Sequence, residues 1–385
     1  MSLDIVLGGL GVVGVLAYAL LGGADFGGGV WDALASGPRK AEQRKAIARA
    51  MGPVWEANHV WLIFVIVVMF TAFPPAYAAL SEALFIPFHL VLLGIILRGA
   101  AFVFRAHSPE SERGQRILEQ RQEAASGDTA APATPAALRW GAIFGVASVI
   151  TPLLLGMCLG AVSSGSIHVL GGEVVTEGGP PWLSPLSIGK GLLALAICAQ
   201  LAAVYLANET SGELCEDFRR RALLAATAVV LLSAAMLPVV KTEAPHLLAG
   251  LLAPRTLPVV VAGALCAVAS GLFLLRRQMG LARMASVGQA ACVVGGWALA
   301  QYPYIIYPDV RVMDAAAPEA TLRFVLYTLP IGLAVLIPSL IWLFRVFKGE
   351  SLGFAEGMGE GKGEGKGNGK TATSTATQAH DEEAV

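Results

Sequence analysis

Nine long apolar stretches run through this chain of 385 residues and constrain its fold more than any other feature. Each has about 20 residues or more, the length that a helix needs to cross the ~30 Å hydrocarbon core of a bilayer. They lie near residues 4–31, 53–75, 77–104, 138–163, 188–207, 221–241, 257–275, 284–302 and 321–345. Segments such as Leu62–Val68 and Leu90–Ile96 are apolar on every helical face, unlike a surface helix of a soluble protein. The sequence therefore predicts an all-α, polytopic integral membrane protein with about nine transmembrane helices.

The distribution of positive charge predicts the orientation of the helices. Lys and Arg are concentrated in the loops after the first, third, fifth and seventh helices, as with Arg219, Arg220 and Arg221 after the fifth. Because cytoplasmic loops carry an excess of these residues, the N-terminus is predicted to lie outside and the C-terminus in the cytoplasm. Met1–Asp4 contains no cation, which is not typical of a cleaved secretory signal, so the first helix is expected to remain in the mature protein.

Two segments differ in composition from the apolar stretches. A transmembrane domain is predicted over residues 1–349, interrupted by a mobile cytoplasmic loop at 106–137 with a short charged helix at Ser111–Ala125. Residues 350–385 are rich first in Gly, Lys and Glu and then in Thr and Ala. Because this tail contains too few apolar residues to form a core, it is predicted to be disordered in the cytoplasm.

Several kinds of site are not predicted. The 27 basic and 28 acidic residues balance, and no basic surface interleaved with aromatic residues suggests nucleic-acid binding. The five cysteines lack a CxxC spacing and are predicted to be free thiols, with no metal site. His89 is expected to be buried and hydrogen-bonded, so no haem is assigned to this chain. The glycines at 22–29 follow an apolar span, which favours close helix approach or local unwinding around Asp25 over a phosphate-binding loop.

Four ionisable residues, Asp25, Glu56, His59 and Arg98, lie near the predicted cytoplasmic ends of the first three helices. A charge inside the membrane is costly unless it is paired or hydrated, so such residues usually belong to ion or proton routes or to polar sites. Glu56 and His59 are three residues apart and therefore share one face of their helix. From the helix lengths, we expect all four side chains to lie at one level of the membrane.

Two interpretations of this group are open. A proton route is chemically suitable, because histidine titrates near neutral pH and a desolvated carboxylic acid can do the same. Alternatively, Asp25 or Glu56 neutralises Arg98 and fixes the helix packing, with His59 as a hydrogen-bonded interfacial residue. Trp55 and Trp61 fit an aromatic belt at the membrane interface, and contact with a quinone ring is the alternative role for them.

Four motifs in the first part of the chain closely resemble subunit II of the cytochrome bd-type quinol oxidases, including the cyanide-insensitive branch. The motifs are Gly23–Trp31 (GADFGGGVW), Gly52–Leu62 (GPVWEANHVWL), Phe73–Tyr77 (FPPAY) and Leu97–Gly99 (LRG). The resemblance is strongest over roughly residues 5–107, and Gln301–Tyr304 extends it through the membrane part. The Gly/Lys-rich tail lies outside it.

The resemblance implies two four-helix bundles with one peripheral helix, in the bacterial inner membrane. It also implies a partner, subunit I, that carries two b-type haems and a d-type or third b-type haem, oxidises quinol and reduces oxygen to water. Small single-helix subunits and a bound quinone are compatible with it. This chain would then be the non-haem subunit that contributes oxygen access and the proton route from the cytoplasm.

The family's functional residues carry over onto Asp25, Glu56, Trp61 and Arg98. Glu56 stands where other members have aspartate, which lengthens the carboxylate by one methylene and should preserve titration. Leu21 stands where some members carry a second acid, which puts an acid-by-acid relay in doubt. The alternative functions are a proton-coupled secondary transporter and a purely structural assembly subunit. Against a transporter, the acids lie near one face of the membrane and not at its midplane.

Overall fold

The structure is a computed structural model that describes residues 2–51, 55–106 and 135–357, with side chains described for 2–50, 58–104 and 139–342. Most of these residues are helical. The helices are α1 (Leu3–Ala33), α2 (Lys40–Met51), α3 (Trp55–Ala72), α4 (Pro74–Ala83), α5 (Phe85–Ala106), α6 (Pro135–Ser164), α7 (Pro185–Glu209), α8 (Gly212–Glu243), α9 (Pro245–Leu252), α10 (Leu257–Leu275), α11 (Met279–Gln301) and α12 (Glu319–Gly357). Four short strands are β1 (Ile167–Leu170), β2 (Glu173–Thr176), β3 (Tyr304–Ile306) and β4 (Val310–Arg311).

The helices confirm the prediction of an all-α, multi-pass membrane protein. Within the described ranges, seven helices are long and apolar enough to cross a membrane: α1, α5, α6, α7, α8, α10 and α12. The bent pair α3 and α4 adds one further candidate span. Helix α11 occupies the predicted stretch at 284–302 but is not among these candidates. The count of nine spans and the orientation therefore stay predictions.

The prediction of one continuous helix over 77–104 is wrong. The chain bends by 119° between α3 and α4, and α4 begins at Pro74 because a proline fits the first turn of a helix. A second break follows at Leu84, before α5. Pro87 has no N–H to donate to the carbonyl of Ala83, so the hydrogen-bond ladder is interrupted there.

Helices α1 and α7 lie at the centre of the packing, and the glycines of α1 let its neighbours approach closely. Helix α1 packs against α3, α6 and α7. A Cβ at Gly27 would overlap the carbonyl oxygen of Cys198 on α7, and one at Gly29 would overlap Ser148 on α6. Helix α1 is continuous through this segment. The structure therefore confirms close helix approach as the role of these glycines, and the helix is not unwound around Asp25.

A buried polar cluster joins α7, α10 and α11. Gln200 donates from Nε2 to Gln289 Oε1 at 3.0 Å and lies 3.4 Å from the hydroxyls of Ser270 and Ser286. The two serine hydroxyls are 2.7 Å apart. All four side chains are buried, so their hydrogen bonds compensate for the loss of solvent and fix the alignment of the three helices.

Two antiparallel hairpins cover the end of the molecule that is predicted to face outward. Strands β1 and β2 lie within the predicted outer loop at 164–187, and β3 pairs with β4 after α11. His168 on β1 joins the hairpins, because its Nδ1 lies 2.9 Å from Asp309 Oδ2 in the turn between β3 and β4. The same carboxylate oxygen accepts a hydrogen bond from the Val169 backbone N–H at 3.1 Å.

The chain divides into two compact units, Met1–Val335 and Leu336–Val385. The core of the first unit includes Leu322, in the first turns of α12. In the second unit, the described residues continue α12 to Gly357. Residues 107–134, which include the predicted helix at Ser111–Ala125, and residues 358–385 lie outside the described residues. The domain division at residues 349 and 350 therefore stays a prediction.

Candidate functional site

Asp25 is a buried carboxylic acid in the second half of α1, with 4% of its surface exposed. Its Oδ2 accepts a hydrogen bond from the side-chain amide of Asn58 on α3. The same amide nitrogen lies 3.4 Å from the carbonyl oxygen of Leu21, one helical turn before Asp25. Asn58 therefore joins α3 to α1 at the level of the acid.

Arg98 on α5 is buried beside Asp25, but its hydrogen bonds within the described residues go to neutral oxygens. Its Nη2 donates to the backbone carbonyl of Asp25 at 2.9 Å, and its Nε donates to Ser148 Oγ at 3.2 Å. The guanidinium also lies over the rings of Phe26 and Phe144, at 5.1 Å and 5.2 Å from their centroids. Cation–π attraction by two aromatic faces helps to stabilise a charge that is removed from water.

His59 and Tyr18 form the side of the site next to Phe26. The Tyr18 hydroxyl lies 3.5 Å from His59 Nδ1, and the His59 ring centroid lies 5.9 Å from the rings of both Tyr18 and Phe26. His59 is half-buried, and Phe26 is buried. The structure thus brings Asp25, His59 and Arg98 into one cluster.

For the remaining predicted site residues, the structure shows no contact with this cluster among the described side chains. Trp55 and Glu56 lie in the first turn of α3, but their side chains fall outside the described ones. Trp61 is half-buried and packs edge-on against Phe64 of the same helix, with 6.3 Å between the ring centroids. The roles of these three residues stay predictions.

The geometry of Asp25 is suitable for reversible protonation. Protonation of a carboxylate in a buried ion pair breaks the pair and leaves the other charge uncompensated, which destabilises the protein. Asp25 instead bonds a neutral amide, and the arginine next to it is held through the main chain. The site can therefore hold Asp25 in either protonation state while the hydrogen bonds to Arg98 and Ser148 persist.

Sequence reasoning missed four residues of this cluster: Tyr18, Phe26, Asn58 and Ser148. Tyr18 and Asn58 lie in the same motif-rich helices as the acids, and their burial beside Asp25 could be inferred only from the packing of α1 on α3. Ser148 is on α6, far away in sequence, and no local pattern marks it. Among the described residues, no three His, Cys, Asp or Glu side chains form a group that could hold a metal ion.

We expect the Asn58→Ala substitution to lower the free energy of unfolding by about 1–3 kcal/mol, because it leaves a buried carboxylate oxygen without its donor. Thermal unfolding in detergent, followed by the loss of helical circular dichroism, measures the effect. The Asn208→Ala variant is the matched control, since Asn208 is exposed at the end of α7. Equal unfolding midpoints for the two variants would contradict the assigned role of Asn58.

Comparisons with known proteins place this chain in a known family. A family model described as "Cytochrome bd terminal oxidase subunit II" matches residues 3–127 and 128–347. The putative cytochrome bd menaquinol oxidase subunit II of Bacillus subtilis (strain 168) is 24% identical over 350 residues, which are 88% of this chain and 93% of that relative. The cytochrome bd-I ubiquinol oxidase subunit 2 of Escherichia coli (strain K12) is 26% identical over 226 residues, 57% of this chain and 52% of the relative.

The fold is also similar to a solved structure. A chain of the bd oxidase from Geobacillus thermodenitrificans superimposes with a TM-score of 0.71 at 22% sequence identity. The match covers 90% of this chain and 99% of that one. At this level of identity the likeness establishes the fold, and residue roles rest on the chain's own geometry.

Proposed function

The chain belongs to the cytochrome bd terminal oxidase subunit II family, and from this premise we propose that it carries cytoplasmic protons through Asp25 to an oxygen-reducing partner subunit. As a family member it is a multi-pass protein of the bacterial inner membrane and a subunit of a haem-containing oxidase complex. The proposal concerns the part that this chain plays in that complex.

The complex is proposed to oxidise quinol and to reduce oxygen to water at haems held by subunit I. The names of the relatives include both a menaquinol and a ubiquinol oxidase, so either quinol class is compatible with the family. When bound in the partner, the haems supply the redox chemistry. This chain would supply protons to them, with Trp55 and Trp61 lining oxygen access or packing against a cofactor.

One observation carries the proposal: a buried acid is hydrogen-bonded to a neutral amide beside a buried arginine. Asp25 can therefore accept or release a proton without breaking a direct ion pair. A group of this kind suits proton transfer. An acid that served only to neutralise Arg98 would be expected to meet the guanidinium directly.

Glu56 is proposed as the entry to the route. It lies two residues before Asn58, which bonds Asp25, and three residues before His59. His59 would transfer protons or order water between the two acids. Its ring centroid lies 5.9 Å from those of both Tyr18 and Phe26.

The step after Asp25 is proposed to use water or a group of the partner subunit. Leu21, which stands where some family members have a second acid, is 43% exposed on the surface of α1. An acid at this position would point away from the core of this chain. The partner subunit is therefore the natural source of the next proton carrier.

Purification of the chain with its native partners tests the proposed function. We expect a tight complex whose visible spectrum contains b-type haem bands together with d-type or additional b-type bands, and no haem on this chain alone. Quinol-dependent oxygen consumption should copurify with the complex. Isolation of the chain as a stable protein that transports a solute into liposomes, without a haem-bearing partner, would contradict the proposal.

A further inference from the structure

Asp4 is a buried acid in the first turn of α1, with 7% of its surface exposed. Among the described side chains, its Oδ2 is the one fully buried carboxylate oxygen without a hydrogen-bond partner. A negative charge suits the positive end of the helix dipole, but the dipole gives Oδ2 no direct donor. Because a buried charge is costly unless it is paired or hydrogen-bonded, Asp4 needs a donor at this oxygen.

Asp4 lines a cavity of about 480 Å³ at the ends of two candidate membrane spans, α1 and α12. A second acid, Glu319, lies in the first turn of α12 and also lines the cavity. Leu3, Met313 and Leu322 provide apolar walls, and none of the described lining residues is basic. The cavity therefore combines carboxylates with apolar surface, in the size range of small-molecule sites.

The two arginines nearest in sequence to the α12 side of this cavity are engaged elsewhere. Arg323 Nη2 donates to Oε1 of the exposed Glu319 at 2.6 Å, and Arg311 Nη2 donates to the Tyr304 hydroxyl at 3.3 Å. Arg311 also lies over the Tyr304 ring, 5.3 Å from its centroid. Arg323 therefore compensates the charge of Glu319 at the rim, and the charge of Asp4 is left for a bound cation.

The wall formed by the segment before α12 is held in place. The Ala317 N–H donates to the carbonyl oxygen of Ala72, at the end of α3, at 2.9 Å. Ala315, Ala317 and Leu322 belong to the same buried core as Leu7 of α1. The cavity is therefore bounded by packed residues and is part of the fold.

We propose that this cavity binds a primary ammonium group carried on an apolar chain, with the ammonium donating to Asp4 Oδ2. An ammonium has three N–H donors, so a carboxylate and two further oxygens satisfy it. A Ca²⁺ ion takes about six to eight oxygen ligands, and the described residues contain no group of three His, Cys, Asp or Glu that could hold a metal ion. The apolar walls favour an alkyl chain over a hydrated ion.

Two sources supply this chemistry at a membrane boundary: the headgroup of an ethanolamine phospholipid and a free alkylamine. The cavity lies roughly 30 Å along α1 from Asp25, given the rise of a helix. The inference is therefore separate from the proposed proton route, and the tests below do not use oxidase activity as their readout.

Native mass spectrometry of the full complex, released from detergent, tests the lipid source. Bound phosphatidylethanolamine is counted in the unmodified complex, in Asp4→Asn, which keeps the shape but not the charge, and in the control Glu173→Gln on β2. If the lipid supplies the ammonium, we expect at least about tenfold lower occupancy in Asp4→Asn than in the other two, as for the loss of a hydrogen bond to a charged group. Phosphatidylglycerol, which has no ammonium, should be retained equally by all three.

Thermal unfolding of the same complexes tests the free amine. If no phosphatidylethanolamine is retained, n-hexylammonium chloride should raise the unfolding midpoint of the unmodified complex, and n-hexanol, with the same alkyl chain, should not. Asp4→Asn should abolish this shift. Glu319→Gln, at the exposed rim, should reduce binding of either ligand and provides the comparison if Asp4→Asn does not assemble. Binding that is the same in these variants as in the unmodified complex, or an unmodified complex that binds neither ligand, would overturn the inference.

Discussion

Replacing Gly27 with alanine is expected to abolish assembly of the complex. A Cβ at this position would overlap the backbone carbonyl of Cys198 and would lie 2.7 Å from the Cβ of Ala202. A side chain could rotate away, but a backbone carbonyl moves only if α1 and α7 separate. Overpacking of this kind costs about 1–3 kcal/mol or more, and here it acts between the two central helices. The amount of haem-containing complex in membranes measures the effect.

The Gly9→Ala substitution is the matched control for Gly27→Ala. Gly9 lies on the same helix, and among the described residues no atom beyond its chain neighbours and its own helix backbone lies within 4 Å of a Cβ built there. The control variant should assemble normally, since alanine is a better helix former than glycine. Normal complex levels in Gly27→Ala membranes would contradict the close packing of α1 on α7.

The Asp25→Asn substitution is expected to slow turnover strongly while the complex still assembles. Asparagine keeps an oxygen that accepts from Asn58, and Arg98 bonds the main-chain carbonyl, which the substitution leaves in place. The variant loses mainly the ability to titrate. We expect a fall in quinol oxidase rate per haem on the order of a hundredfold, the lower end of what a positioned proton-transfer group contributes.

The control for Asp25→Asn is Glu173→Gln, which removes an exposed acid on β2. Its turnover should be unchanged. If Asp25 only balanced the charge of Arg98, Asp25→Asn would leave a buried cation without compensation. The complex would then be lost, and removal of Arg98 would partly restore it. Unchanged haem content together with a slow rate distinguishes the proton-carrier role from this alternative.

Most of the membrane helices, and three ionisable residues of the cluster (Asp25, His59 and Arg98), are predictable because their signals are local. Apolar length identifies the membrane helices, and the glycines around Asp25 correctly predict close packing of α1. Apolar residues continue on both sides of Pro87, so the sequence pattern predicts α4 and α5 as one helix. The contact between His168 and Asp309 connects parts of the chain that are distant in sequence.

In the candidate site, too, contacts between distant segments could not be predicted from local sequence patterns. Asp25, His59 and Arg98 stand out because ionisable residues are rare in apolar helices. Ser148 and Asn58 are neutral residues whose importance depends on which helices pack together. His89 is exposed, in contrast to the buried histidine expected from the sequence. The exposure of His89 likewise depends on which face of α5 meets α6. Because apolar residues lie on all sides of that helix, the sequence does not show which face is buried.

The most direct test of the account is the quinol oxidase rate per haem of an Asp25→Asn, Glu56→Gln double variant in a fully assembled complex. If both acids lie on one proton route, a single broken step already limits the rate. The double variant should then be about as slow as the slower single variant, so that the effects are less than additive. Full oxidase activity in a double variant with normal haem content would contradict a proton route through this subunit.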